Sequence, residues 1–302
     1  MARTDPYDFF RVRVAAIADL TPSFRRFTFT GDDLEFYGDP GFDQRIKIVF
    51  PTPGAPLERM PTGTDWYDRW RQMHERERPP FRTYTTRAVR REEREVDVDM
   101  VVHDVSGPAS AWIARAGVGD EVLILAPTVA HGDVSFGIDF VPPERSDAIL
   151  LAGDETAAPA IAVILEQLPA HARGVVVLEV PHPDDLTYLP QHAGFRIDAA
   201  SRGDEDARHE HLVAAVQAAA AELAPGGAGA DVEEIDVDTE ILWEVPRTAK
   251  GGAALKSAPL YSWMAGEAGA IKALRRHLVS DVGVDRRAIA FMGYWRLGRS
   301  EN

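Results

Sequence analysis

In the first half of the chain, apolar and polar positions alternate with a period of two. Residues 11–16 (RVRVAA) alternate, and the stretch Phe24 to Phe29 sets bulky apolar side chains between charged or hydroxyl ones. In 45–50 (RIKIVF), Ile46, Ile48 and Phe50 fall on one face; 96–103 (VDVDMVVH) alternates again and the apolar run EVLILAP follows. Such patterns, broken by Gly, Pro and Asp turns, predict antiparallel strands forming a small barrel. Residues 51–80 hold several prolines and a charged stretch with Trp66, Tyr67 and Trp70, which reads as a long excursion carrying a short helix. Residues 109–116 (ASAWIARA) read as one further helix.

Near residue 145 the pattern changes. SDAILLAG reads as a strand and TAAPAIAVILEQL as a helix with Pro159 in its first turn, where proline is tolerated. GVVVLEV (174–180) is the next strand, 207–224 an alanine-rich helix, and LYSWMAGEAGAIKALRRHLVS a strand, turn and helix before a last strand, RAIAFMG. Strands alternating with helices predict a mostly parallel α/β sheet. The expected organisation is therefore a β-barrel domain over 1–144 and an α/β domain over 145–302. Residues 225–259, with PGGAGAD, an acidic run and TAKGGAALKSAP, read as a flexible insertion in the latter.

Composition narrows the chemistry. The 302 residues include no cysteine, which excludes disulfides, thiolate metal sites and any redox dithiol on this chain. Redox chemistry would have to be carried by a bound cofactor. The net charge of −15 opposes nucleic acid and anionic membranes as partners. No window reaches the roughly 18 consecutive apolar residues of a membrane-spanning helix. The N-terminal MARTDPYDFFRVRV lacks a basic-then-apolar signal layout, so a cytoplasmic location is expected. His209 and His211, two apart, are split around a helix rather than paired as metal ligands. The run Asp231 to Glu240 lacks the spacing of a calcium loop and reads as solvated acid.

Two segments of the first half carry candidate chemistry. In Arg82-Thr83-Tyr84-Thr85-Thr86-Arg87, alternate strand residues share a face, so Arg82 and Tyr84 point together. A guanidinium grips phosphate and a tyrosine ring stacks on an aromatic system, which suits a planar phosphate-bearing cofactor; a surface strand with solvated arginines is the alternative. In His103 to Trp112, Gly107 and Pro108 turn the chain into the ASAWIARA helix, whose first N–H groups suit a phosphate, with His103 and Ser110 able to add hydrogen bonds. An ordinary turn and helix start fits the same residues.

In the second half, Gly153-Asp154-Glu155-Thr156-Ala157 follows a strand, at the carboxyl end where open α/β sheets bind ligands. A plain turn with Thr156 as helix cap is the alternative. Ala265-Gly266-Glu267-Ala268 is a second such turn. Lys250, Lys256, Lys272, Arg275 and Arg276 are candidate partners for a cofactor 2′-phosphate, with helix-surface solvation as the competing fate. Lys47 lies on the face opposite Ile46, Ile48 and Phe50. Tyr294-Trp295-Arg296 offers an aromatic and a cation to a cofactor or substrate, or an anchor for the chain end.

Four of these segments occur in order along residues 8–298: RTYTTR, VVHDVSGPASAWIARAGVGDEV, LLAGDETAAPAIAVILEQLP and YSWMAGEAGAIKALRRHL…GYWR. Together they resemble siderophore-interacting proteins, FAD-dependent ferric-siderophore reductases related to the ferredoxin–NADP reductase superfamily. The resemblance implies an FAD-binding barrel followed by an NAD(P)H-binding α/β domain. By position it implies Arg82, Tyr84 and Thr85 at the flavin and its ribityl-phosphate region, and Arg87, His103, Gly107, Ala109 and Ser110 near the pyrophosphate. It also implies Asp154 and Thr156 at the nicotinamide nucleotide (NADPH or NADH), and Lys47 and Arg296 at an anionic ferric siderophore. The flavin would carry the chemistry, with no side chain acting as acid or base and no resident metal. Fe(III) reduction is then a release step, since the oxygen cage of a siderophore holds Fe(II) far less tightly. A flavin oxidoreductase with another acceptor or with ferredoxin as donor, and a non-enzymatic flavin or siderophore binder, are the competing readings. Residues 225–259 and PHPDDLTYLPQHAGFRI depart from the family pattern.

Overall fold

The structure, a computed structural model, describes residues 5–102, 107–131, 137–202, 208–237, 240–247 and 255–298. The chain divides into two compact units between Ile138 and Asp139.

The first unit is a seven-stranded antiparallel sheet. Its strands are β1 (Tyr7–Thr21), β2 (Phe24–Thr30), β3 (Arg45–Val49), β4 (Phe81–Thr85), β5 (Ala88–Arg90), β6 (Glu95–Val101) and β7 (Glu121–Pro127), in the order β4-β3-β7-β1-β2-β6-β5. β1 runs well beyond the alternating segment 11–16. Its first half pairs with β7 and its second with β2, and register shifts after Val14 and Asp19 bend it between those tasks. The later residues of β1 are largely exposed, so they carry no apolar period. Just past β4, the Arg87 N–H donates to the Asp97 carbonyl of β6 at 2.9 Å, drawing the sheet's ends together as a barrel.

Alternation fills the barrel. Phe10, Val12, Val14, Phe27, Phe29, Ile46, Ile48, Phe50, Val96, Val98, Val122 and Ile124 form one buried cluster. The helix α2 (Pro108–Arg115) adds Trp112, whose ring centroid lies 5.2 Å from Phe27 and 5.3 Å from Phe50. The helix α1 (Trp66–Gln72) places Trp70 in a second cluster on the opposite face, with Phe9, Val49, Leu57, Met60, Leu123 and Leu125. β7 is thus buried on both faces, which is why EVLILAP reads as an unbroken apolar run.

The second unit is a six-stranded sheet made of β8 (Arg145–Asp154), β9 (Gly174–Val180), β10 (Phe195–Ser201), β11 (Trp243–Glu244), β12 (Ser257–Glu267) and β13 (Ile289–Trp295). The order is β10-β9-β8-β12-β13-β11; the first five are parallel and β11 is antiparallel to β13. The helices are α3 (Ala158–Gln167), α4 (Glu210–Leu223) and α5 (Ala268–Arg276). Leu150, Val175, Val177, Leu212, Val216, Leu260, Met264, Ile271, Leu274 and Phe291 join in the main cluster of this unit.

Two segments of this unit differ from what the sequence pattern alone shows. β10 carries no strand signal: as an edge strand it leaves most side chains half-exposed, so Arg196 and Asp198 are tolerated where an interior strand would be apolar. In the segment read as an insertion, the described acids of 231–240 are exposed while its apolar residues pack on the unit. Val232, Ile235 and Val237 pack on the core of the unit and Leu242 is buried within it. The N–H groups of Gly227 and Ala230 donate to Val282 and Val279, and β11 extends the sheet. The described acids of the run, Asp231, Glu233, Glu234, Asp236 and Glu240, are exposed as expected, while Glu233 and the more buried Glu244 also pair with Arg275 and Arg286.

Candidate functional site

In the first unit, β3 and β4 pair with Ile46 opposite Tyr84, Lys47 opposite Thr83 and Ile48 opposite Arg82. Arg82 and Tyr84 therefore share a face with the barrel core, and the half-buried Tyr84 ring stands edge-on to Phe50 at 6.2 Å. β4 ends the strand order of the sheet and pairs with β3. Arg82 Nη1 donates to its neighbour's carbonyl, Phe81 O, at 2.8 Å, and no carboxylate among the described residues pairs with this guanidinium. A half-buried arginine beside an aromatic ring, with its charge unspent, fits a phosphate-bearing cofactor. Thr85 is buried at the strand end, opposite Arg45.

Arg87 is placed differently. Its Nε lies 3.4 Å from the buried Asp99 carboxylate, which Arg26 already holds through two hydrogen bonds of 2.6 and 2.8 Å. Arg90 and the Thr28 hydroxyl hold the neighbouring Asp97 in the same way. The outward face of β6 is thus an ion-pair seam, and Arg87 is one of its cations.

At the start of α2, Gly107 is extended, and a Cβ built there would meet nothing within 4 Å among the described residues. The Ser110 hydroxyl accepts the Gly107 N–H and donates to its carbonyl, both at 3.0 Å. The Ala109 methyl faces the core, so only its backbone N–H is available to a ligand. A helix start whose first N–H groups lack intrahelical acceptors fits a phosphate. His103 lies outside the described residues.

Lys47 occupies the face opposite Arg82 and Tyr84. Its Nζ is 3.3 Å from the Thr83 hydroxyl and 5.0 Å above the Phe81 ring, beside the second apolar cluster. The structure therefore places Lys47 and Tyr84 on opposite sides of one sheet.

In the second unit, the carboxyl ends of the parallel strands gather several buried acids. Asp154 ends β8 and is fully buried. It accepts the Thr156 N–H at 2.9 Å and hydroxyl at 2.5 Å, the Glu267 N–H at 2.9 Å and the Trp295 indole N–H at 2.8 Å. Burial pushes its carboxyl above the ordinary range, opposed by those four donors. The Thr156 hydroxyl is engaged with Asp154, so it does not serve as a helix cap, and α3 begins only at Ala158. Gly153 and Gly266 make this crowding possible. A Cβ at Gly266, whose φ is +151°, would fall 2.6 Å from Asp154 Oδ2, and one at Gly153 would fall 2.4 Å from both the Ala157 Cβ and the Ala265 carbonyl oxygen.

Glu155 is also buried; burial and the adjacent Asp154 push its carboxyl up, against the pull of Arg202. Arg202 Nη2 donates to Glu155 at 2.5 Å, and its Nη1 lies 3.7 Å from Glu179 at the end of β9. The Glu179 carboxylate accepts the N–H groups of His209 and Leu212 at the start of α4, and Glu267 accepts that of Ala270 at the start of α5. Burial pushes the His209 imidazole below its usual range. Glu179 and Arg202 gave no signal in the sequence, Glu155 figures there only within the Gly153–Ala157 turn, and His209 only as an unpaired histidine. Their meeting depends on β10, the strand whose pattern is silent.

Trp295 also lies 5.5 Å below the Arg208 guanidinium. Arg296 Nη1 donates to the Val237 carbonyl at 3.0 Å, within its own unit. Among the candidate 2′-phosphate partners, Arg275 is buried in its ion pairs with Glu233 and Glu244, and Lys272 and Arg276 face Glu234. Lys250 lies outside the described residues.

Comparison with known proteins matches this geometry to a family. The siderophore-interacting FAD-binding domain matches residues 13–131, and the siderophore-interacting protein model matches residues 146–298. The ferric vibriobactin reductase ViuB of Vibrio cholerae is 27% identical over 276 residues, 91% of this chain and 85% of that protein. The crystal structure of the siderophore-interacting protein SipS from Aeromonas hydrophila superposes with a TM-score of 0.69 at 27% identity, covering 98% of this chain and 94% of that one. The FAD/NAD binding domain of a Vibrio cholerae nitric oxide dioxygenase shares the fold, with a TM-score of 0.56 at 16% identity over 95% of this chain and 98% of that one. With the FAD-binding model lying on the barrel and the second model on the parallel sheet, the chain belongs to the siderophore-interacting protein family.

Proposed function

We propose that the chain is a reductase that binds FAD in its first unit, takes electrons from a nicotinamide nucleotide bound in its second, and passes them to iron(III) held in a siderophore. The observation that carries this reading is the half-buried Arg82, with no carboxylate partner among the described residues, beside Tyr84 on the edge strand of a barrel of the FAD-binding family. The relation to a ferric vibriobactin reductase supports the choice of acceptor. Flavin, when bound, takes up an electron pair as hydride and releases it one electron at a time.

The chain's residues bind and orient. Arg82 holds a phosphate, the Tyr84 ring lies against the flavin and Thr85 borders it. The α2 start, with the Gly107 opening and the N–H groups of Ala109 and Ser110, receives the pyrophosphate, with His103 on its flank. Arg87 acts mainly through Asp99, shaping the strand that follows the motif. In the second unit, Asp154 and Thr156 set the turn at the nicotinamide nucleotide rather than binding it with free side chains. Lys47 and Arg296 supply positive charge toward an anionic chelate against the acidic whole.

The test is an anaerobic visible spectrum of the purified protein supplied with FAD, followed through additions of nicotinamide nucleotide and then a ferric siderophore. Bleaching by the nucleotide and recovery with the chelate, with Fe(II) trapped by an indicator, is the expected result. A protein that takes up no flavin would sink the reading.

A further inference from the structure

Tyr37 stands just past a short helical turn (Asp32–Phe36), and its backbone is held from three sides. Its N–H donates to the Leu34 carbonyl at 3.1 Å, and its own carbonyl accepts Arg91 Nε at 3.1 Å. It also bridges Thr128, and the next N–H, that of Gly38, donates to the Pro127 carbonyl at 2.7 Å. The ring is fully buried in the barrel core and lies 5.2 Å from that of Phe10. The hydroxyl therefore has one fixed reach. It ends 2.8 Å from the hydroxyl of Thr86, 49 residues further along the chain.

Thr86 is buried between Thr85, the last residue of β4, and Arg87. Its N–H donates to the Gln44 carbonyl at 3.0 Å, and the next N–H, that of Arg87, crosses to Asp97 of β6. Here the chain leaves β3 and turns toward β6, so the setting of Thr86 decides the angle at which the end of the Arg82–Arg87 motif is presented. The backbone bonds hold this turn along the sheet; the bond to Tyr37 holds it from within the core. Burial pushes the Tyr37 phenol well above its ordinary range, against the pull of Thr86, so the pair stays two neutral hydroxyls. Replacing both partners of such a pair by apolar groups of the same shape costs little stability. What the pair adds is direction, since a hydrogen bond fixes a distance and an angle that non-directional apolar packing does not.

We infer that Tyr37 is a positioning residue for the flavin: by holding the Thr86 hydroxyl it fixes the end of β4, and with it the Tyr84 and Thr85 groups that border the ring. The inference rests on the flavin site proposed above for the first unit. Tyr37 itself is closed in the core, so its effect reaches the flavin through Thr86.

The test uses the full chain as apoprotein, titrated with FAD, and compares the unaltered protein with Tyr37→Phe, Thr86→Val, the two changes together, and Thr86→Ser. Flavin fluorescence reads FAD affinity, visible circular dichroism reads the setting of the bound ring, and a melt of the apoprotein reads stability. Each single apolar variant leaves one buried hydroxyl unpaired. It is expected to weaken FAD binding by about fivefold, the equivalent of one hydrogen bond, with altered flavin dichroism and a lowered melt. The double variant removes both hydroxyls, so its melt should return toward that of the unaltered protein while FAD affinity and dichroism stay changed. Thr86→Ser keeps the hydroxyl and should bind FAD within about twofold of the unaltered chain. A double variant that regains FAD affinity together with its melt makes the pair a matter of stability alone and overturns the inference. Single variants with unchanged FAD affinity and dichroism overturn it too. If the unaltered protein takes up no FAD, the flavin site itself is wrong, and the positioning role falls with it.

Discussion

The indole N–H of Trp295 donates to the Asp154 carboxylate at 2.8 Å, joining the ends of two strands that lie 141 residues apart in sequence. The same carboxylate accepts the Glu267 N–H from a third strand, so one buried acid ties β8, β12 and β13 at their carboxyl ends. Asp154→Ala is expected to cost about 3 kcal/mol, because it strands several buried donors at once. Asp154→Asn keeps an acceptor and should cost less. Urea unfolding measures both. A cost for Asp154→Ala within about 0.5 kcal/mol of zero, the range of an ordinary surface change, would remove the cross-link argument.

Arg82 and Arg87 flank one motif yet have different surroundings, and their alanine variants should separate. Arg82→Ala is expected to weaken FAD binding by about 10–100-fold, the loss of one charge-assisted contact to phosphate, with little change in stability. Arg87→Ala removes one of the two arginines on the buried Asp99 and should lower stability by about 1–3 kcal/mol. Reconstitution of the apoprotein followed by flavin fluorescence, beside a thermal melt, reads the two effects. Equal losses of FAD affinity with unchanged melting would show that both arginines serve the cofactor.

The described residues 240–247 make an acid-sensitive latch through Glu244. Burial alone would raise the Glu244 carboxyl, but hydrogen bonds from Arg286 and the charges of Arg275 and Arg286 outweigh it and leave the group below the usual value of 4.5. A carboxyl depressed in the folded chain contributes stability that is complete above 4.5 and drains away as pH falls through the lower folded value. Stability should therefore drop below about pH 4.5 in the unaltered protein. Glu244→Gln should flatten that limb and lower stability near neutrality by about 3 kcal/mol, since Arg275 stays buried with a weaker set of partners. Urea midpoints between pH 3 and pH 7 provide the comparison; an identical acid limb in the variant would exclude Glu244 as its source.

Lys47→Ala tests the basic contact proposed for the chelate. An apparent affinity for a ferric siderophore reduced by about threefold to tenfold, with flavin content unchanged, is the expected outcome, since a surface charge steers more than it binds. Unchanged turnover and affinity would assign Lys47 to its Phe81 and Thr83 contacts alone.

The barrel was legible in the sequence because its residues alternate between a filled interior and an outer face, as Ile46, Ile48 and Phe50 do around Lys47. The parallel sheet was legible because β8, β9 and β12 are interior strands with continuous apolar runs. β10 was silent because an edge strand needs no such run. The packing of Val232, Ile235, Val237 and Leu242 within the segment 225–259 was not legible for a related reason. The glycines and acids around them carry no period, and what holds Glu233 and Glu244 is charge supplied by Arg275 and Arg286 from later in the chain. Arg82 and Tyr84 could be singled out by local spacing, whereas the fates of Arg87 and Asp154 depend on Asp99, Glu267 and Trp295, which no local window contains.

The borders of the second sheet bear on how the chain behaves among its own copies. On one side β11 contributes only two residues, too short to template a further strand. On the other, Arg196 of β10 reaches Glu222 at 2.6 Å, and Asp198 lies 3.6 Å from His211, so the open strand presents a row of charge rather than an apolar ribbon. Long, flat, uncharged borders are what let sheets grow from molecule to molecule. This one is blunted at one margin and charged at the other, a built-in guard against fibrous self-association.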